Sequence, residues 1–237
     1  MLNIHFYEQL QEIGAYEPEL TSAMQAVIKP GMTVLDIGAN LGYHSVLADR
    51  ALQGSGKVYA FEPSSIVGEL LKKNLADNNA SCVEIVEVCI SDTIGETVLH
   101  AVPISGFTSI IKQNAYGPQK HITRPCTTID VFCQKRNISP DIIKMDIQGK
   151  EARAMEHATT IISKPGVQIF VEFWPKGLVE AGSDPKEFLM SYIHSGWHVH
   201  SLETNTVIKT ERDYEDLLVS LRGIKPFTYV NLHMYKL

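Results

Sequence analysis

Two carboxylates stand where apolar runs end in the first third of the chain. Asp36 closes the run TVLD and opens a turn that reads Asp36-Ile37-Gly38-Ala39-Asn40-Leu41-Gly42; Glu62 closes KVYAFE, 24 residues beyond Gly38. Glycines at 38 and 42 let the backbone turn tightly and let a ligand come close to it. The spacing is neither G-x-G-x-x-G nor a phosphate loop ending in G-K-[ST]. A pyrophosphate arriving at that strand end would be repelled by Asp36, whereas an ammonium group would be held.

The second carboxylate completes the picture of the ligand. An acidic residue at the end of the second strand of such a sheet accepts hydrogen bonds from ribose hydroxyls. A molecule with an amino-acid end beside Asp36, a ribose at Glu62 and no phosphate between them is S-adenosylmethionine. Two further carboxylates close later apolar runs, Asp146 in KMDIQG and Glu172 in IFVEF. They are the candidates for work on an acceptor, with His44 and His121 behind them as possible bases, since a positioned base contributes roughly a hundred- to ten-thousand-fold to proton removal. Phe107, Tyr116 and Trp174 are candidate walls of the acceptor pocket. Two oxygens make a thin site for a hard cation, so a divalent metal is not favoured and no metal ligand is assigned. His194, His198 and His200 lack a neighbouring thiol or carboxylate and do not make a zinc site.

The elements that must position these groups follow from the pattern. From Val34 onward, strand-like and helix-like segments alternate, which predicts parallel βα units and a doubly wound α/β domain. Strands are expected at 33–37, 57–61, 83–88, 141–145, 168–173, 197–202 and 228–235. Helices are expected at 42–52, from about 64 to 78, from Thr128 to about 136, and at 151–163, 185–195 and 214–221. Segment 96–101 is expected to pair back as a hairpin across the turn Asp92–Gly95. Residues 103–123, with prolines, glycines and no period, read as a long loop of the lid or substrate-binding kind. The first thirty residues read as a helical extension of a single domain spanning 1–237.

Bulk properties narrow the partners. The 237 residues carry a net charge of −6 without a like-charge block. Clustered Lys and Arg, the footprint of phosphate-backbone binding, are missing, so nucleic acid is not expected. No run approaches 18 apolar residues, so no membrane span is expected, and the acidic N-terminus does not read as a signal peptide. Cys82, Cys89, Cys126 and Cys133 form no CxxC pair and read as reduced, mostly buried thiols of a cytoplasmic protein. Oligomeric state is not written in the pattern.

The segments VLDIGANLGYHS, VYAFEPSS, LLKKNLADNN, CISDTIGE, TTIDVF, IIKMDIQGKEARAMEHA and IFVEFWP occur in the order seen in FkbM-type methyltransferases. The resemblance covers roughly residues 30–200. It implies a Rossmann-like, seven-stranded sheet whose last strand is antiparallel, with helices on both faces. It also implies methylation of a hydroxyl on a sugar or natural product. By position, Asp36, Gly38, Asn40 and Gly42 would face the methionine part of the cofactor. Glu62 would bind the ribose, with Pro63 and Ser64 beside it, and Ser91 and Asp92 would flank the adenine. Asp146 would lie near the sulfonium and the acceptor. The family usually has Glu where this chain has Gln148 and a small residue where it has Lys150, while Glu151 keeps its place. A non-catalytic member that binds cofactor or a partner protein is therefore one alternative, and a nicotinamide-dependent oxidoreductase is another.

Overall fold

The computed structural model describes residues 12, 14–101, 108–109, 120–221 and 229–237. Helix α1 (Pro18–Val27) precedes strand β1 (Thr33–Ile37), α2 (Tyr43–Leu52), β2 (Lys57–Phe61), α3 (Ser65–Asp77) and β3 (Val83–Val86). Short strands β4 (Cys89–Ile90), β5 (Gly95–Ala101), β6 (Thr108–Ser109) and β7 (Lys120–Thr127) follow, then α4 (Ile129–Arg136) and β8 (Ile142–Met145). The remainder runs α5 (Glu151–Glu156), α6 (Thr159–Ile162), β9 (Gln168–Phe173), α7 (Pro175–Glu180), α8 (Pro185–His194), β10 (His198–Ser201), β11 (Thr206–Ile208), α9 (Glu211–Leu221) and β12 (Val230–Tyr235).

The main sheet has the order β11-β10-β12-β9-β8-β1-β2-β3. Strands β3, β2, β1, β8 and β9 are parallel, and β12 is antiparallel to both neighbours, β9 and β10. Seven of these strands make the expected sheet; β11, a three-residue edge strand, is an eighth. Strand order reverses between β1 and β8, and the crevice beyond their carboxyl ends is where ligands bind in open α/β sheets.

Alternation along each strand sorts the side chains. Leu35, Ile37, Ile143, Met145, Ile169 and Val171 point to one face and form the larger core with α4–α9. Val34, Val58, Ile142 and Phe170 point to the other, where Leu20 and Met24 of α1, Ile28 just after it, and Leu47, Ala48 and Leu52 of α2 cover them. That second face turns polar toward the carboxyl ends. Register sets Asp36 opposite Lys144 and Glu172 opposite Asn231, all on the side that α1 and α2 cover. The N-terminal helix thus roofs the part of the sheet where charge accumulates.

Two expectations change around residues 95–127. Strand β5 pairs not across the turn at 92–95 but with β7, from Gly95 opposite Cys126 to Ala101 opposite Lys120, in a second sheet of order β4-β7-β5-β6. Residues 120–123, read as loop, belong to β7, where His121, Thr123 and Pro125 are exposed and Ile122, Arg124 and Cys126 point to the more buried side. The rest of the expected lid, including Phe107 and Tyr116, lies outside the described residues. The helix expected over 151–163 is two short ones, broken at His157-Ala158. All four cysteines are free and buried. Among the described residues no helix is long and apolar enough to cross a membrane.

Candidate active site

Five parallel strands aim their last residues at one crevice, and the glycine turn after β1 is its floor. Gly38 has φ +81, and a Cβ there would stand 1.9 Å from the Asp146 carbonyl oxygen, so only glycine lets the ends of β1 and β8 lie side by side. Asn40, exposed and also left-handed at φ 50, carries the chain into Gly42, the N-cap of α2. Backbone N–H groups of Gly38 and Ala39 both donate to the Phe61 carbonyl, which ties this turn to the end of β2.

Glu62 sits there as a well-satisfied carboxylate. Its Oε2 accepts from the Asn40 N–H at 3.1 Å and its Oε1 from the Ser64 N–H at 2.8 Å. Burial still pushes its pKa up to about 7, against the pull of those two N–H groups and of Lys144. An ionised carboxylate has about four acceptor positions, so two remain for a ligand's hydroxyls. Ser64 caps α3 through Val67 N–H, and Pro63 offers its carbonyl to Arg124 Nε at 2.7 Å. Ser91 donates to Asp92 at 2.9 Å, and Arg153 Nη1 pairs with the other Asp92 oxygen at 3.3 Å. These two bonds, with the charge of Lys150, outweigh burial and hold the Asp92 carboxyl below its ordinary range.

Asp36 behaves differently from the expectation. It is fully buried; Ser45 Oγ donates to its Oδ2 at 2.5 Å, and Lys144 Nζ stands 3.4 Å from its Oδ1. The ammonium that Asp36 meets is the chain's own, because β1 and β8 place residues 36 and 144 directly opposite each other. Lys144 also donates to the Gly38 carbonyl at 3.2 Å. Burial works against its charge, but Asp36, Asp146 and Glu17 together hold its pKa above the ordinary lysine value. Asp36 therefore shapes the glycine turn through Lys144 and is not presented to the crevice.

The far side of the crevice collects carboxylates. Asp146, half-buried, follows β8; its Oδ1 accepts from Gln148 Nε2 at 2.9 Å. Glu151 has no exposed surface: its Oε1 accepts from Ile147 and Gly149 N–H at 2.8 and 3.2 Å, while its Oε2 has no partner. Glu172 is 6% exposed at the end of β9. One oxygen from each of the three lies within 4.8 Å of the other two. Burial, then the charges of Asp146, Glu151 and Glu17, push the Glu172 pKa well above the ordinary carboxylate range, and burial raises Glu151 to about 7.

Glu17 joins this group from the N-terminal segment. At φ 45 it starts α1 with its side chain turned inward, and burial with the nearby Asp146 charge lifts its pKa to about 7. Asn231 Nδ2 donates to Glu17 at 3.4 Å and to Glu203 at 2.8 Å. The charges of Glu17, Asp146 and Glu172 reach the Tyr16 and Tyr229 hydroxyls, which burial has already raised. His44 Nε2 stands 3.7 Å from Glu17 Oε2; burial lowers the imidazole pKa to about 3 and keeps it neutral.

Several expected groups fall elsewhere. His121 lies on β7, exposed and opposite His100, not in a loop. The Trp174 ring packs on Gly177, where a Cβ would stand 2.0 Å from Cε3. His200 bonds Asn205 and His198 stacks on Tyr235, so the two make no joint site. Sequence reading missed Lys144, Glu17, Arg124 and the inward side of Glu151. Only Lys144 carried a signal, a charged residue inside the apolar run IIKM, where an unpaired lysine would not be buried.

A doubly wound sheet with a glycine turn after its first strand, and an acidic residue after its second, places the chain among α/β proteins that bind a nucleoside-containing cofactor at the switch point of the sheet. The chain belongs to the methyltransferase FkbM domain family, whose pattern matches residues 36–206. No curated protein matches the sequence. Among solved structures, a putative rRNA-methylase from Clostridium thermocellum superposes with a TM-score of 0.56 at 13% identity, over 93% of this chain and 96% of that one. The methyltransferase FkbM from Methylobacillus flagellatus KT gives 0.51 at 18% identity over 86% of this chain, which spans 44% of that one. An O-methyltransferase from Bacillus cereus in complex with SAH gives 0.52 at 17% identity, over 97% and 89%. At such identities the likeness is one of fold.

Proposed function

We propose that this chain transfers the methyl group of S-adenosylmethionine to a hydroxyl of a small molecule, a sugar or a natural product. The observation that carries the reading is the division of the crevice into a ribose-type acceptor at Glu62 and a carboxylate group at Asp146 and Glu172 across the glycine turn. When bound, the cofactor supplies an electrophilic methyl on a sulfonium, so the protein's task is to orient the acceptor and remove its proton.

The residues present suit that cofactor in a modified way. Glu62, held by two N–H groups, offers its spare acceptor positions to the ribose, with Pro63 and Ser64 beside it. Gly38, Asn40 and Gly42 give the backbone surface, and Ser91 with Asp92 borders the base. Asp36 is too buried to touch a ligand, so Asp146 becomes the carboxylate nearest the positive end of the cofactor. Glu172 is the acceptor-side group. Burial and the neighbouring acidic charges raise its pKa, and a positive charge brought beside it works in the opposite direction, favouring the ionised form that can accept the acceptor's proton. Glu17, at the start of α1, borders the acceptor side.

Titration calorimetry with S-adenosylhomocysteine tests the cofactor, with NADH as the control for the oxidoreductase reading. Incubation of the protein and S-adenosylmethionine with a panel of hydroxylated small molecules, alongside a structured RNA, tests the acceptor. Methylated product from a small hydroxylated compound is expected. Tight S-adenosylhomocysteine binding with product on no acceptor would favour the non-catalytic reading, and methylated RNA would replace the small-molecule acceptor.

A further inference from the structure

We propose that Asp146, Glu151 and Glu172 bind one hard divalent cation, of the magnesium or manganese kind, at the acceptor side of the crevice. Three observations carry this beyond the presence of acidic residues. First, one oxygen of each lies within 4.8 Å of the other two. Two oxygens bound to one such cation at about 2.0–2.4 Å stand between about 2.8 and 4.8 Å apart, so the trio needs little movement to share an ion.

Second, Glu151 Oε2 is a polar atom sealed from solvent with no hydrogen bond, on a side chain with no exposed surface. A native structure leaves few such atoms without a ligand or a functional reason. Its sister Oε1 is anchored by two backbone N–H groups, Ile147 and Gly149, so the free oxygen is held rigidly in place.

Third, among the described residues no lysine or arginine forms an ion pair with the trio, although the charge of Lys144 reaches Glu172. Lys144 is paired with Asp36 and the Gly38 carbonyl. Arg153 is paired with Asp92 and the Ala181 carbonyl. Among the described residues, the one side-chain donor to the trio is the neutral Gln148 amide. Among the described residues this is the one group of three potential ligand side chains close enough to share an ion.

An all-oxygen set without thiol or imidazole selects magnesium, manganese or calcium over zinc or copper. Three protein oxygens leave positions open, and Asp146, the least buried of the three, faces the crevice through which the ion and an acceptor's oxygen would arrive. The site lies in the crevice assigned above to methyl transfer, yet cation binding is measured without cofactor or acceptor, so the two readings stand or fall separately.

The test is titration of the full chain with Mn2+, followed by the loss of the free-ion signal in electron paramagnetic resonance, with Mg2+ as competitor. One Mn2+ per chain, displaced by Mg2+, is expected. Glu151→Gln keeps an oxygen for the Ile147 and Gly149 N–H groups and should weaken Mn2+ at least tenfold. Glu172→Gln should do the same and serves if the first variant does not fold. S-adenosylhomocysteine affinity should be retained in both. No binding at millimolar Mn2+, or binding that both variants leave unchanged, would overturn the proposal.

Discussion

The two sides of the crevice handle buried acid in opposite ways. On the proposed cofactor side each carboxylate has a cation or backbone N–H groups beside it: Asp36 has Ser45 and, 3.4 Å from an Oδ1 that has no hydrogen bond, Lys144; Glu62 has two backbone N–H groups; Asp92 has Ser91 and Arg153. On the proposed acceptor side Asp146, Glu151 and Glu172 crowd together, with Glu17 near them, and among the described residues no lysine or arginine is ion-paired with any of the three. Both sides are carried on equally regular strands, so the difference is not one of order. A side whose acids are satisfied is built to persist, and one whose acids face each other stores unfavourable charge that a ligand can relieve. Strain of that kind is retained at functional sites at a cost in stability.

The sharpest way to break this contrast is Glu172→Gln. Turnover with a true acceptor should fall by roughly a hundred- to ten-thousand-fold, the worth of a positioned base, while S-adenosylhomocysteine affinity stays near wild type. Stability in urea should hold or rise above pH 7, because the substitution removes a charge that faces its like. Unchanged turnover would make Glu172 structural. A marked loss of stability would erase the distinction between the sides.

Lys144→Met asks the converse question of the satisfied side. Removing one partner of a buried pair typically costs about 3–5 kcal/mol, here with Gly38 also losing a donor to its carbonyl. Chemical denaturation should show a loss of that order, and Asp36→Leu in the same chain should recover part of it by removing the charge left behind. Additive losses in the double variant would mean that the pair is not coupled. Asp36→Ala alone should destabilise the fold as well as weaken the cofactor.

How much of this was legible in the sequence follows from range. The strands 33–37, 57–61 and 168–173 are apolar runs with clear stops, and they were readable to the residue because composition and local turn chemistry set them. Glu62 and Glu172 were readable for the same reason, as acids that end such runs. What Asp36 meets was not, because that depends on register between β1 and β8, strands more than a hundred residues apart in the chain. Glu17 was hidden for a different reason: nothing in YEPELTSAM says that the chain doubles back over the sheet. Strand β7 was lost to its proline and to the aperiodic sequence before it.

Glu62→Gln tests the cofactor side at its ligand contact. It keeps an oxygen for one N–H group and loses the second acceptor, so S-adenosylhomocysteine affinity should fall by at least about tenfold, roughly 1.4 kcal/mol. Titration gives a second reading of the same group. Its pKa rises from 4.5 to about 7 on folding. Between those values the folded chain holds a proton that the unfolded chain has released, so this carboxyl favours the fold at acid pH and the contribution is lost as pH climbs through 7. Unfolding measured from pH 4.5 to 7.5 should show that downward slope in wild type and a flatter one in the variant. Over the same range ligand affinity should rise with pH in wild type only, since the ionised carboxylate is the better acceptor.

The smallest effect should come from Gln148→Glu, which installs the residue usual in the family. Gln148 is the neutral donor to Asp146 Oδ1, held at φ 59; a glutamate there cannot donate when ionised and adds one more negative charge to the crowded side. That charge should favour the sulfonium of S-adenosylmethionine over the uncharged S-adenosylhomocysteine. The ratio of their affinities should therefore rise, by less than about tenfold because the half-buried position is partly screened. Gln148→Met, which loses the donor without adding charge, should leave the ratio where it is. A rise of the ratio in both variants would assign the effect to the lost hydrogen bond. A rise in neither would mean that Asp146 lies too far from the sulfonium to sense its neighbour, and the acceptor-side role would then rest on Glu172 alone.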